Sequence, residues 1–197
     1  TDMGRKYVPI SEARYADKKV FSQKILKSFN MFDVDSRSGE EKIRRLFGVT
    51  PLKYVNAEAD GIPIAHTLDA SFVEEYYKFL PFVYACRMGL KNEHQDFNRL
   101  KSTKIMLCSD VTIKYDFGGD IRVCKLEKFE TVYLRKSNTA YIQVPAEYNI
   151  FAQLIKDFDF ADAVAELITV ILDVNEDKDF YRDLFRENTL VREKKMR

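Results

Sequence analysis

Tryptophan is missing, histidine occurs twice and cysteine three times in 197 residues, and each scarcity removes a class of chemistry. His66 and His94 supply too little imidazole for a histidine-rich metal site. Cys86, Cys108 and Cys124 include no C-x-x-C pair, are odd in number and sit in apolar patterns, so they read as buried free thiols, not as a disulfide or zinc framework. Glycine is scarce too, at 7. Phosphate cradles need closely spaced glycines whose amides approach an anion. Here the one close pair, Gly118-Gly119, lies between two strand-like runs and reads as a hairpin turn. There is no G-x-S-x-G elbow to expose a serine nucleophile, and neither histidine stands in a motif that marks a base. No stretch approaches the roughly 18 unbroken apolar residues of a membrane span, and Thr1 to Tyr7 has no signal-peptide core, so a cytoplasmic location is expected.

What the chain does have is apolar mass and charge. Hydrophobic residues make up 46% and charged residues 32%, with 15 Phe and 11 Tyr, enough for one sizeable core. The net charge of +1 hides an uneven spread. Thr1 to Lys27 holds seven bases against three acids, and Asp157 to Glu187 ten acids against three bases. Solvated helix faces account for such runs, but each also offers a docking surface for partners of opposite sign. The candidate basic surface is Lys18, Lys19, Lys24 and Lys27, and the candidate acidic surface is Asp162, Glu166, Asp177, Asp179 and Asp183.

Spacing predicts the elements. Val20, Phe21, Ile25, Leu26 and Phe29 recur at three and four residues and predict an amphipathic helix. Ser38 and Glu41 form a capping box before a short helix that faces Ile43, Leu46 and Phe47 inward and stops at Gly48. Val49 to Asp60 reads as extended and Gly61-Ile-Pro63 as a turn. Ser71 and Glu74 form a second capping box, opening a helix that Pro81 should kink or split. Lys91 to Ser102 is a more polar helix with Phe97 and Leu100 inward. From Ile105 the period drops to two, with Val111, Ile113, Tyr115 and Phe117 alternating against polar neighbours. Runs at 121–126, 130–136 and 139–144 follow, and together they predict an antiparallel four-stranded meander over about 104–144. Ile150 to Leu172 is two helices or one bent helix, and Asn175 caps a last one through Phe180, Leu184 and Phe185. The expectation is an α+β fold: a mainly helical part, 1–102, and the sheet with its C-terminal helices, 103–188, sharing one core. The charged tail at 189–197 reads as a place where a longer polypeptide has been cut.

Catalytic patterns are thin. Asp33-Val-Asp35 and Asp173-Val-Asn175 suggest calcium loops, but Ser38 and Lys178 occupy the position that needs glycine, and Arg44 and Leu184 the position that needs glutamate. A metal-dependent nuclease would draw on Asp116, Asp120, Lys125 and Glu127, yet the acid-x-lysine order on one strand face is absent. Basic residues beside aromatics, in Lys114-Tyr115, Lys128-Phe129 and Tyr133-Leu-Arg135-Lys136, fit either a nucleic-acid platform or an ordinary sheet with one wet side.

Three segments together resemble a family. Arg45-Leu-Phe-Gly-Val49, Phe79-Leu-Pro-Phe-Val-Tyr-Ala85, and the run through Asp162-Ala-Val-Ala-Glu-Leu-Ile168 into Asp179-Phe-Tyr-Arg-Asp-Leu-Phe185 are similar to a region distal to the ATPase domain of large bacterial sacsin-like proteins. Their ATPase belongs to the superfamily of gyrase, MutL, histidine kinases and the heat-shock chaperone. The resemblance covers the chain from about Arg45 onward and brings no nucleotide-binding motif, so it assigns no catalytic, cofactor or metal residue. It implies a non-catalytic interaction or regulatory module, without a cofactor of its own, that couples a distant ATPase to other domains, to a protein partner or to self-association. Nucleic-acid binding through the basic N-terminal helix and the sheet is the alternative, and the nuclease a second one.

Overall fold

The computed structural model describes residues 14–15, 29, 42, 45–64, 66–87, 93–148, 151–172, 174 and 178–187. Its elements run β1 (Arg14–Tyr15), β2 (Thr50–Pro51), β3 (Asn56–Pro63), α1 (His66–Arg87), α2 (Glu93–Ser102), β4 (Lys104–Asp116), β5 (Ile121–Lys125), β6 (Thr131–Leu134), β7 (Thr139–Gln143), α3 (Phe151–Leu154), α4 (Phe158–Leu172) and α5 (Lys178–Arg186). The fold is α+β. By compactness the chain divides into two units, residues 1–57 with 114–124 and residues 58–113 with 125–197.

β4, 13 residues long, organises a sheet ordered β3-β4-β7-β6, with β5 also paired to β4. Val55 N–H donates to Asp116 O (2.7 Å) and Ile64 N–H to Leu107 O (3.2 Å), so β3 runs antiparallel along one edge of β4. Two strands share the other edge. β7 takes its first part in parallel, from Lys104 opposite Thr139 to Cys108 opposite Gln143. Beyond that, Leu126 N–H on Val111 O and Phe117 N–H on Asp120 O mark the hairpin with β5. β6 lies antiparallel beside β7.

The changeover is a bulge at Ser109–Asp110. Asp110 has a φ of 53°, the left-handed region that aspartate tolerates better than most residues. Val111 N–H is taken up by the buried side chain of Gln143, at 2.7 Å from Oε1, instead of by a backbone carbonyl. The extra residue resets the alternation of side chains. Ile105 and Leu107 join the helix-side core. Cys108 and Val111 instead lie together against Gly61: a Cβ built there would stand 2.9 Å from Cys108 Cβ and 3.1 Å from Val111 Cγ2.

The expected four-stranded antiparallel meander is thus corrected to a mixed five-stranded sheet. The period-two pattern is real, but β4 is long enough to outrun β5, and the bulge frees its first half for a parallel neighbour. Gly61-Ile-Pro63 is corrected as well, since it ends β3 and makes no turn. Pro63 stands at the last position of an edge strand, where a missing donor costs little. The hairpin at Gly118-Gly119 is as expected, with φ of 87° and 104° and Asp116 Oδ1 accepting both glycine amides, at 2.9 and 2.8 Å.

The helices fill the core of the second unit. α1 is continuous through Pro81, which is exposed while Phe79, Leu80 and Val83 beside it are buried, so tertiary packing holds the helix across the missing amide. Its start at His66 places Ser71 inside the helix, not at its cap, because residues 66–70 contain nothing that breaks a helix. Ile150–Leu172 resolves as two helices, with α4 beginning after Asp157. Phe160 is the centre of the aromatic packing: its ring meets Phe72 of α1 at 5.9 Å, Phe129 at 5.7 Å and Phe185 of α5 at 6.4 Å. In the first unit Tyr54 packs edge-on to Tyr115 at 5.5 Å and Phe29 to Phe117 at 4.9 Å. Residues 45–47 are helical and Gly48, at φ 67°, ends them as expected, but Leu46 and Phe47 are exposed, not turned inward. The predicted helix over 20–29 and the Asn175 cap lie outside the described residues, apart from Phe29.

Gly61→Ala tests the bulge. With the Cys108 β-carbon closer than real contacts allow and Val111 Cγ2 tight beside it, it should cost about 1–3 kcal/mol by overcrowding, read as a lowered denaturant midpoint with an unchanged m-value.

Candidate interaction surface

α4 is secured at both ends by side chains from elsewhere. Asp157 is its N-cap: Oδ1 accepts Asp159 N–H at 3.0 Å, and Oδ2 accepts the Tyr148 hydroxyl. Lys128 lies 3.7 Å from the same carboxylate and over the Phe129 and Tyr148 rings, at 4.7 and 5.4 Å. Burial alone would raise the Asp157 pKa, but the Tyr148 hydroxyl, the Asp159 and Phe160 amides and the Lys128 charge outweigh it and hold the carboxyl below its ordinary value. At the other end Arg99 of α2 donates to Ile171 O at 2.8 Å, placing a cation on the negative end of the helix dipole. Val174 N–H returns to Thr169 O, closing the last turn.

The acidic candidates gather where α4 and α5 pack together. Lys178 reaches Asp162 at 2.6 Å and Glu166 at 3.2 Å. Arg182 reaches Asp162 at 3.5 Å, Asp179 at 2.6 Å and Asp183 at 3.1 Å. Desolvation opposes the charge of Lys178, yet Asp162 and Glu166 raise its pKa. The guanidinium groups of Arg182 and Arg186 lie over the Phe158 ring, at 4.5 and 5.4 Å. The junction is therefore a self-paired ionic network and not a bare acidic patch. Asp179, Asp183 and Glu166 still face solvent, with Phe158 and Phe180 exposed among them. Asp177 lies outside the described residues, as do Lys18, Lys19, Lys24 and Lys27. Sequence counting overlooked how far Lys178 and Arg182 neutralise the acids. Their spacing from Asp162, Glu166 and Asp179 carried that signal only once the two helices were known to be neighbours.

Three of the four nuclease candidates, Asp116, Asp120 and Lys125, have local partners. Asp116 holds the Gly119 and Gly118 amides, which depress its pKa. Asp120 pairs with Arg122 at 2.9 Å, and Lys125 with Asp110. Among the described residues no group of three or more His, Cys, Asp or Glu is placed to hold a metal ion. Of the aromatics beside basic residues, Tyr115 and Phe129 are buried, and the Tyr133 hydroxyl donates to Asn138 Oδ1 at 2.8 Å. Cys108 and Cys124 are buried free thiols and Cys86 is half-buried. Among the described residues no helix is long and apolar enough to cross a membrane.

Comparison with known proteins finds no matching family model, no matching curated protein and no matching solved structure.

Because the Asp157 pKa is lowered on folding, its stabilising effect is complete above the ordinary carboxylate range and is lost as pH falls through the folded value. Asp157→Ala should cost about 1 kcal/mol at neutral pH. Denaturant titrations of both proteins should converge as the pH is lowered below that value; a gap that widens in acid contradicts the capping role.

Proposed function

We propose that this chain is a non-catalytic interaction or regulatory module of a larger, cytoplasmic, ATP-binding protein of sacsin-like type, joining a distant ATPase domain to a partner or to a second copy. The sacsin-like parentage rests on residue pattern alone. The observation that carries the interaction role is the α4–α5 surface: exposed Phe158 and Phe180 stand among Asp179, Asp183 and Glu166, with Arg186 beside them. Exposed aromatics and arginine on a rigid base are the groups that dominate protein–protein interfaces.

The base is rigid for stated reasons. α4 is capped at both ends and α5 is tied to it by Lys178, Arg182 and the Phe160–Phe185 contact. Such a surface presents its side chains without ordering cost, which favours association. Its outward acids suit a basic partner segment with an apolar anchor for Phe180. Nucleotide and metal belong, on this reading, to other parts of the parent protein.

Two measurements separate the reading from its rivals. Saturating ATP with magnesium should leave the thermal midpoint unchanged, and a clear rise means that the chain binds nucleotide itself. A basic amphipathic helical peptide should bind with an affinity that falls with salt and drops about tenfold in an Asp179→Asn, Asp183→Asn, Phe180→Ala variant that keeps the parent's stability. Failure of that peptide to bind, together with steeply salt-dependent binding of DNA or RNA, would transfer the function to nucleic acid.

A further inference from the structure

α5 carries a basic residue on each turn of the side that faces α4: Lys178, Arg182 and Arg186. α4 answers in reverse order. Lys178 meets Glu166 and Asp162, Arg182 meets Asp162 and the Phe158 ring, and Arg186 meets the Phe158 ring, at 5.4 Å. Phe158, Asp162 and Glu166 follow one another at four-residue steps, so Phe158 stands where a third acid would complete the ladder. Arg186 therefore keeps its charge: it is exposed and forms no ion pair among the described residues. At about 100° per residue, positions 179, 183 and 186 fall within about 60° of one another on the side of α5 opposite buried Tyr181, Leu184 and Phe185. The outward line of the helix thus reads acid, acid, base, and all three side chains are exposed.

We propose that Arg186 is the specificity-determining residue of the α4–α5 surface, the receptor for one carboxylate on a helical partner segment whose basic side chains meet Asp179 and Asp183. This assignment rests on the interaction role argued above. Phe158 preorganises the receptor, because a ring beside the guanidinium restrains it and leaves its planar N–H fork open to a carboxylate. Charge complementarity selects the occupant. Asp183 and Asp179 lie about 5 and 10 Å from Arg186 along the helix axis and repel a polyanion, so nucleic acid and anionic membranes fit this line poorly. A second copy fits poorly too: pairing Asp179 with Arg186 across a twofold axis places the two Asp183 side chains together beside that axis. A helical segment avoids both conflicts when its carboxylate stands three residues from one lysine and seven from the next, the spacing of 186 from 183 and 179.

Two synthetic helical peptides, one with Glu, Lys and Lys at that spacing and one with Gln in place of its Glu, test it by calorimetric titration into the full chain. The Glu peptide should bind about three- to fivefold more tightly. Arg186→Gln alters an exposed side chain that forms no hydrogen bond or ion pair among the described residues, so it should keep the thermal midpoint and bind both peptides alike. Arg186→Glu should reverse the preference, toward a peptide with Lys in place of the Glu. Equal affinity of wild type for the Glu and Gln peptides, or a preference that survives Arg186→Gln, overturns the assignment and leaves the proposed function standing. Binding of neither peptide overturns both. Inorganic phosphate held through Arg186, or a wild-type mass above 23.1 kDa that Arg186→Gln returns to 23.1 kDa, overturns the assignment in favour of those occupants.

Discussion

Asp110 in the left-handed region, with Gln143 Oε1 receiving the amide of Val111, is a small local irregularity with long consequences. A regular β4 would present one continuous edge to one neighbour. With one residue inserted, the strand changes partner part-way: β7 claims Lys104–Cys108 in parallel and β5 the remainder in a hairpin. The cost is a backbone donor with no ladder partner, and a buried glutamine amide meets it. Gly61 belongs to the same device, since the crossing point brings β3 too close to Cys108 and Val111 for any side chain.

Helix packing makes a second, separate framework in the 58–113 and 125–197 unit. Phe160 joins α1, α5 and the turn at Phe129 through ring contacts of 5.7 to 6.4 Å. α4, which carries it, keeps its ends through Asp157 and Arg99. Ion pairs between α4 and α5 are partly solvent-exposed and add little stability each. Their effect is geometric, because they fix the register of the two helices and with it the positions of Phe158, Phe180, Asp179 and Asp183. That fixed display is the physical basis of the proposed interaction role, while Asp116, Asp120 and Asp157 serve a turn, an ion pair and a helix cap.

Much of the local structure was legible in the residues. Alternation over 105–117 marks a strand, Gly118-Gly119 a hairpin, and the spacing of Phe97 and Leu100 a half-buried helix, because each signal depends on neighbours one to four residues apart. The acidic surface was legible only as a count. Its neutralisation by Lys178 and Arg182 joins side chains up to 20 positions apart, on two helices whose contact no periodicity reveals.

By itself, then, the amino-acid order determined the α+β class, most strands and helices, the burial of Cys108 and Cys124, though not the half-buried Cys86, and where charge accumulates. Tertiary structure decided the rest: the parallel pairing of β4 with β7, the reset of side-chain faces at Asp110, the survival of α1 through Pro81 and the cap that Arg99 lends to α4. Backbone pairing between distant strands and the burial that overrides a proline are settled by which surfaces meet in space, and a local pattern of residues carries no record of that meeting.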